Sequence, residues 1–80
     1  MILTDNLERI GRFINEMRAN KGLGHISVTE STSLLDENTG IDSLDLAALV
    51  VELQIACDRD PFQNGFVNFN TAGELASLFA

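Results

Sequence analysis

Few residues in this chain of 80 are of a type that performs chemistry, and their spacing narrows the possibilities further. Nucleophilic hydrolysis needs a base beside the nucleophile. The only histidine is His25, with no motif around it, and it reads as a surface or loop histidine. Cys57 is the only cysteine; it falls on an apolar helical stripe and reads as a small buried hydrophobe. Alone it makes no internal disulfide, and no Cys/His set is large enough for structural zinc. The chain has 12 acidic residues, but paired-carboxylate catalysis needs a substrate cleft that so short a chain can scarcely build. No self-sufficient enzyme is expected.

The acidic stretch Asp36-Glu37-Asn38-Thr39-Gly40-Ile41-Asp42 invites a calcium reading. An EF-hand loop wants oxygen ligands at positions 1, 3 and 5 and glycine at 6. Counted from Asp36, position 5 is Gly40 and position 6 is Ile41, so the register fails. The six glycines are dispersed, with neither a P-loop nor a Gly-x-Gly-x-x-Gly run. What remains is Gly40-Ile41-Asp42-Ser43-Leu44-Asp45-Leu46, a serine at the head of an apolar helix just after a long acidic loop. Taken locally, Ser43 is an N-cap, the usual task of a serine in that position.

Three periodic segments must hold this motif in place. Leu7, Ile10, Phe13, Ile14 and Met17 recur at steps of three and four, which predicts an amphipathic helix over residues 4–20. Asp5 and Glu8 resemble a capping box, and Gly22 supplies the stop. Residues 22–41 have no period, yet Leu23, Ile26, Val28, Leu34, Leu35 and Ile41 dot them. That pattern predicts a long ordered loop, pinned to the core at intervals.

The second helix starts at Asp42-Ser43, both good caps, and runs to Cys57. Leu46, Leu49, Val50, Leu53 and Cys57 form one stripe, and Leu44, Ala47, Val51 and Ile55 a second. A helix apolar on nearly all sides must be covered on most of them. Asp60-Pro61 closed by Asn64-Gly65 predicts a single helical turn, and Phe66, Val67 and Phe69 are candidate core anchors. Thr71-Ala72-Gly73-Glu74 is a capping box that opens a last short helix, with Leu75, Leu78 and Phe79 on its apolar face. The expectation is one all-α domain over residues 1–80. Its form is a small antiparallel four-helix bundle, three main helices plus a short third helix.

Charge is distributed unevenly. Residues 1–21 sum to +1 and residues 22–80 to −8, for a total of −7. That surplus argues against nucleic acid, whose phosphates need cations, and against an anionic membrane face. The chain opens without a basic-then-apolar leader and has no run of about 18 apolar residues. A soluble, cytoplasmic protein with basic partners is expected.

Gly40 through Leu46 resembles the Asp-Ser-Leu attachment motif of acyl carrier proteins and related thiolation domains. The resemblance extends over the whole chain: first helix, long loop, serine-led helix, short third element, and threonine-capped last helix. The spacing from Ser43 to Thr71 is also similar to the family's. By that resemblance Ser43 would receive 4′-phosphopantetheine from coenzyme A, through a phosphopantetheinyl transferase that uses Mg²⁺. The terminal thiol would carry an acyl or aminoacyl group as a thioester. A loading ligase, synthase or transferase would act on it, and the carrier itself would work as a monomer. Ser43 would still cap its helix, and the helix dipole would favour the attached phosphate. Asp42, Leu44, Asp45, Ala47, Val51 and Glu52 would form the docking surface.

The chain also departs from that family. Fatty-acid carriers commonly have Asp-Leu where Asn38-Thr39 stand here, and several glutamates along the second helix. Between Asp45 and Asp58 the only carboxylate is Glu52. The resemblance therefore implies a dedicated carrier for one pathway, docking more through apolar contact. The alternative is an unmodified helical interaction module, in which Ser43 only caps and the second helix docks a partner protein.

Overall fold

A computed structural model of the chain describes residues 3–63, 65 and 67–79. Three α helices occur among them: α1 (Leu3–Asn20), α2 (Ser43–Cys57) and α3 (Ala72–Leu78). A short 3₁₀ turn, Glu37–Thr39, precedes α2. Among the described residues no strand forms beyond one isolated antiparallel bridge, Ser33 with Thr71. No helix among them is long and apolar enough to cross a membrane.

The periodic stripe of α1 buries Ile10 and Ile14 completely, and Leu7, Phe13 and Met17 pack around them. Asp5 lies inside the first turn of α1 and does not cap it, because the helix begins three residues earlier than an Asp5 cap would allow. At its other end, Leu23 N–H donates to Arg18 O at 2.7 Å and Gly22 N–H to Ala19 O at 3.1 Å. This is the paired closure of a Schellman stop, and it satisfies two of the helix's orphan carbonyls.

The loop that follows is pinned at several points. Asn15 donates to Ile26 O at 2.9 Å and accepts Ile26 N–H at 2.8 Å. Leu34 N–H reaches Asn70 O, Ala72 N–H reaches Thr32 O, and Gly73 N–H reaches Glu30 O, all at 2.9 Å. Leu34 and Ile41 are core residues, and Ile26 and Val28 pack against the core. Leu23 and Leu35, counted with them on sequence, are exposed instead. Gly73 is required here by close approach, since a Cβ would stand 2.7 Å from Glu30 O.

Helix α1 packs on both other helices, more extensively on α3 than on α2. Leu49 and Leu53 of α2 and Ala72, Leu75, Ala76 and Phe79 at the C-terminal end complete the core. One buried amide joins all three helices: Asn6 donates to Ala76 O at 3.1 Å and accepts from Cys57 Sγ at 3.4 Å. Cys57 is thus packed in the core region, as its stripe position implied.

Two expectations need correction. The helical turn expected after Asp60 is a set of hydrogen-bonded turns, Gln63 N–H to Asp60 O and Gly65 N–H to Phe62 O. Asp60 caps Phe62 N–H at 3.0 Å, but no helix grows from it, so the described residues hold three α helices and not four. Val67 is exposed; Phe69 packs on the core, while Asn64 and Phe66 lie outside the described residues.

Candidate functional site

Helix α2 starts from a reciprocal cap that leaves Ser43 out. Asp42 accepts Asp45 N–H at 2.9 Å, and the Asp45 carboxylate accepts Asp42 N–H at 3.1 Å. Asp42 is the N-cap residue and Ser43 the first residue of the helix. This corrects the local expectation that Ser43 caps: a carboxylate one residue earlier takes the orphan N–H groups. Ser43 is exposed, and its hydroxyl makes no hydrogen bond among the described residues. Gly40, two residues before the cap, has φ +71°, and the space where a Cβ would stand is taken by Leu23 and Arg18. A side chain there would be strained by its backbone and would meet Leu23 Cδ1 at 2.6 Å.

The carboxylates around Ser43 differ in their engagement. Lys21, just past the end of α1, pairs with Asp45 and donates to Gly40 O at 2.8 Å. The Asp45 side chain is only 17% exposed. Its carboxyl is held below the ordinary range, first by the Lys21 hydrogen bond and then by Asp42 N–H. Asp42 remains exposed.

A groove of about 440 Å³ begins at Ser43. Its α2 wall is Leu46, Ala47, Val50, Val51 and Gln54, and the opposite wall is Phe62 and Phe69. The Phe62 ring lies 6.0 Å from Phe69 and 6.5 Å, edge-on, from Phe79, which ties the groove to the core. Beyond Ser43 and Gln54 the lining is apolar. A larger space of about 620 Å³ between α1 and residues 25–28 includes His25 and does not reach Ser43.

Of the residues expected to dock partners, Leu44 is 80% exposed and Val51 52%. Ala47 is exposed and shares the groove wall with Val51. Glu52 is exposed but borders a separate space with Arg9, Arg12 and Phe13. Asp45 is ion-paired with Lys21. Sequence reasoning missed Lys21, whose signal was the slight positive balance of residues 1–21, and it missed Phe62 and Phe69 as a groove wall. Among the described residues, no group of three or more His, Cys, Asp or Glu side chains converges as a metal site. No known protein family, curated protein or solved structure matches the chain.

Proposed function

We propose that this protein is a discrete carrier whose Ser43 accepts 4′-phosphopantetheine and whose partners load and use a thioester on that arm. The observation that carries this reading is the exposed Ser43 hydroxyl, unengaged at the first position of α2 and opening onto an apolar groove. Had Ser43 been the cap, its oxygen would be occupied by backbone N–H groups. Instead Asp42 performs that task, and the hydroxyl is presented by a rigid helix start. The residues fit the group: the helix end favours the phosphate, and the groove offers an apolar track beside the arm. When bound, the group supplies the thiol that carries cargo.

The partners in this reading are a phosphopantetheinyl transferase, then a loading ligase, synthase or transferase. The four-helix, acyl-carrier-like architecture belongs to the same proposal, with the turns after Asp60 in the place of the short third helix. Leu44, Val51 and Ala47 give the docking surface its apolar part, and Asp42 its charge. A dedicated pathway remains the better fit, given how few acids α2 carries.

Incubation with coenzyme A, Mg²⁺ and a broad-specificity transferase is expected to add one phosphopantetheine, about 340 Da by mass spectrometry. Ser43→Ala should abolish the gain. An unmodified parent, or a modified variant, would sink the proposal.

The second reading, an unmodified interaction module, is favoured by the exposed apolar row Leu44, Val51 and Ile55. It expects no adduct and partner binding that is indifferent to Ser43→Ala.

A further inference from the structure

Resting on the carrier reading, we propose that Lys21 is a positioning residue for the modification of Ser43, acting by cancelling the charge of Asp45 beside the acceptor hydroxyl. The donor in that reaction is an anion. The Ser43 oxygen forms a bond to the phosphorus that keeps the pantetheine arm, the pyrophosphate bridge breaks, and adenosine bisphosphate leaves. The hydroxyl proton passes to a base of the transferase. Two carboxylates, Asp42 and Asp45, lie one residue before and two residues after the acceptor. Left bare, both would repel the incoming pyrophosphate.

Asp45 is not bare. The Lys21 ammonium pairs with it and at the same time holds Gly40 O at 2.8 Å, two residues before the cap. The cation is supplied by the stop of α1: the Schellman turn at Gly22 and Leu23 ends the helix at Asn20, directly before Lys21. Arg18, one turn earlier, donates to Gly24 O at 2.7 Å and lies against Gly40. The end of α1 therefore fixes both the backbone that enters α2 and the charge beside Ser43. The pair is partly exposed, with the Lys21 side chain at 37%, so its contribution is sensitive to salt.

The same contacts would also serve a purely structural latch, so the test separates charge from latch. Transferase-dependent mass gain is followed for the parent, Lys21→Met, Lys21→Arg and the double variant Lys21→Met/Asp45→Asn. Asparagine retains an oxygen for Asp42 N–H, so the cap survives in the double variant. At low salt, Lys21→Met should lower kcat/KM by about fivefold, mostly through KM. Raising the salt to about 0.5 M should narrow its ratio to the parent. Lys21→Arg and the double variant should both recover most of the rate, although the double variant has no latch. Thermal unfolding of each variant checks that it is folded. A double variant as slow as Lys21→Met, or a Lys21→Met variant equal to the parent, overturns the inference and leaves the carrier reading standing. A parent that gains no mass overturns the carrier reading itself.

Discussion

Asp42 Oδ1 accepts the backbone N–H of Asp45 at 2.9 Å, across the residue between them that matters most, Ser43. The Asp45 carboxylate returns the bond to Asp42 N–H, so the start of α2 is satisfied without the serine hydroxyl. Capping and presentation are thus divided between neighbours.

That division has a stability consequence. Asp42→Ala should cost about 1 kcal/mol, the usual penalty for losing a cap. Ser43→Ala should stay within about 0.5 kcal/mol of the parent, because no internal bond is lost. Urea unfolding of the two variants, side by side, checks the pair. A larger loss for Ser43→Ala would mean that the serine caps after all.

The two apolar stripes of α2 should respond differently to truncation. Leu49 is fully buried, so Leu49→Ala should destabilise by about 2–5 kcal/mol through lost burial and a cavity. Ile55, 74% exposed, should tolerate alanine within about 0.5 kcal/mol. Denaturant midpoints would show the contrast, and any partner affinity should follow the opposite order.

Gly73→Ala sets two effects against each other. Alanine improves helix propensity by up to about 1 kcal/mol. Its Cβ, however, would stand 2.7 Å from Glu30 O, a backbone atom that moves only if the loop moves, and overpacking costs about 1–3 kcal/mol. Net destabilisation is expected, accompanied by faster amide exchange at Ala72, whose N–H bonds Thr32 O. A stabilised variant would show that the loop is not clamped on α3.

Acid should loosen both capped helix starts. Asp45 is held below the ordinary carboxylate range, chiefly by Lys21, and Glu74 by the N–H groups of Asn70 and Thr71. Both groups have a lower pKa folded than unfolded. Their stabilisation is therefore present above the unfolded carboxylate range and is lost as the pH falls through the lowered folded values. Denaturant titrations between about pH 2 and pH 6 should show this decline. Lys21→Met should flatten the part due to Asp45, and Glu74→Gln the part due to Glu74.

Local chemistry made much of this protein legible from its residues alone. The 3.6-residue spacing from Leu7 to Met17 located α1, and Thr71 with Glu74 located the start of α3 within a residue. Leu49 and Leu53 were on the stripe that proved buried. The serine motif was visible but its cap was not, because Asp42 and Ser43 are both good caps and a string of residues does not say which oxygen reaches the N–H. The turn at Asp60-Pro61 carried the signals of a helix start, yet the chain after it had no continuing helical period to extend it.

The sequence by itself determined the helices, the stop at Gly22, the acidity after residue 21 and the position of Ser43, because these depend on contacts a few residues apart. Tertiary structure decided the rest. Only folding brings Lys21 to Asp45 across 24 positions, Asn6 to Ala76 across 70, and Phe62 and Phe69 against the Ser43 end of α2. Such pairs depend on how three helices and a loop share one small core, and no local period encodes which partners that core will bring together.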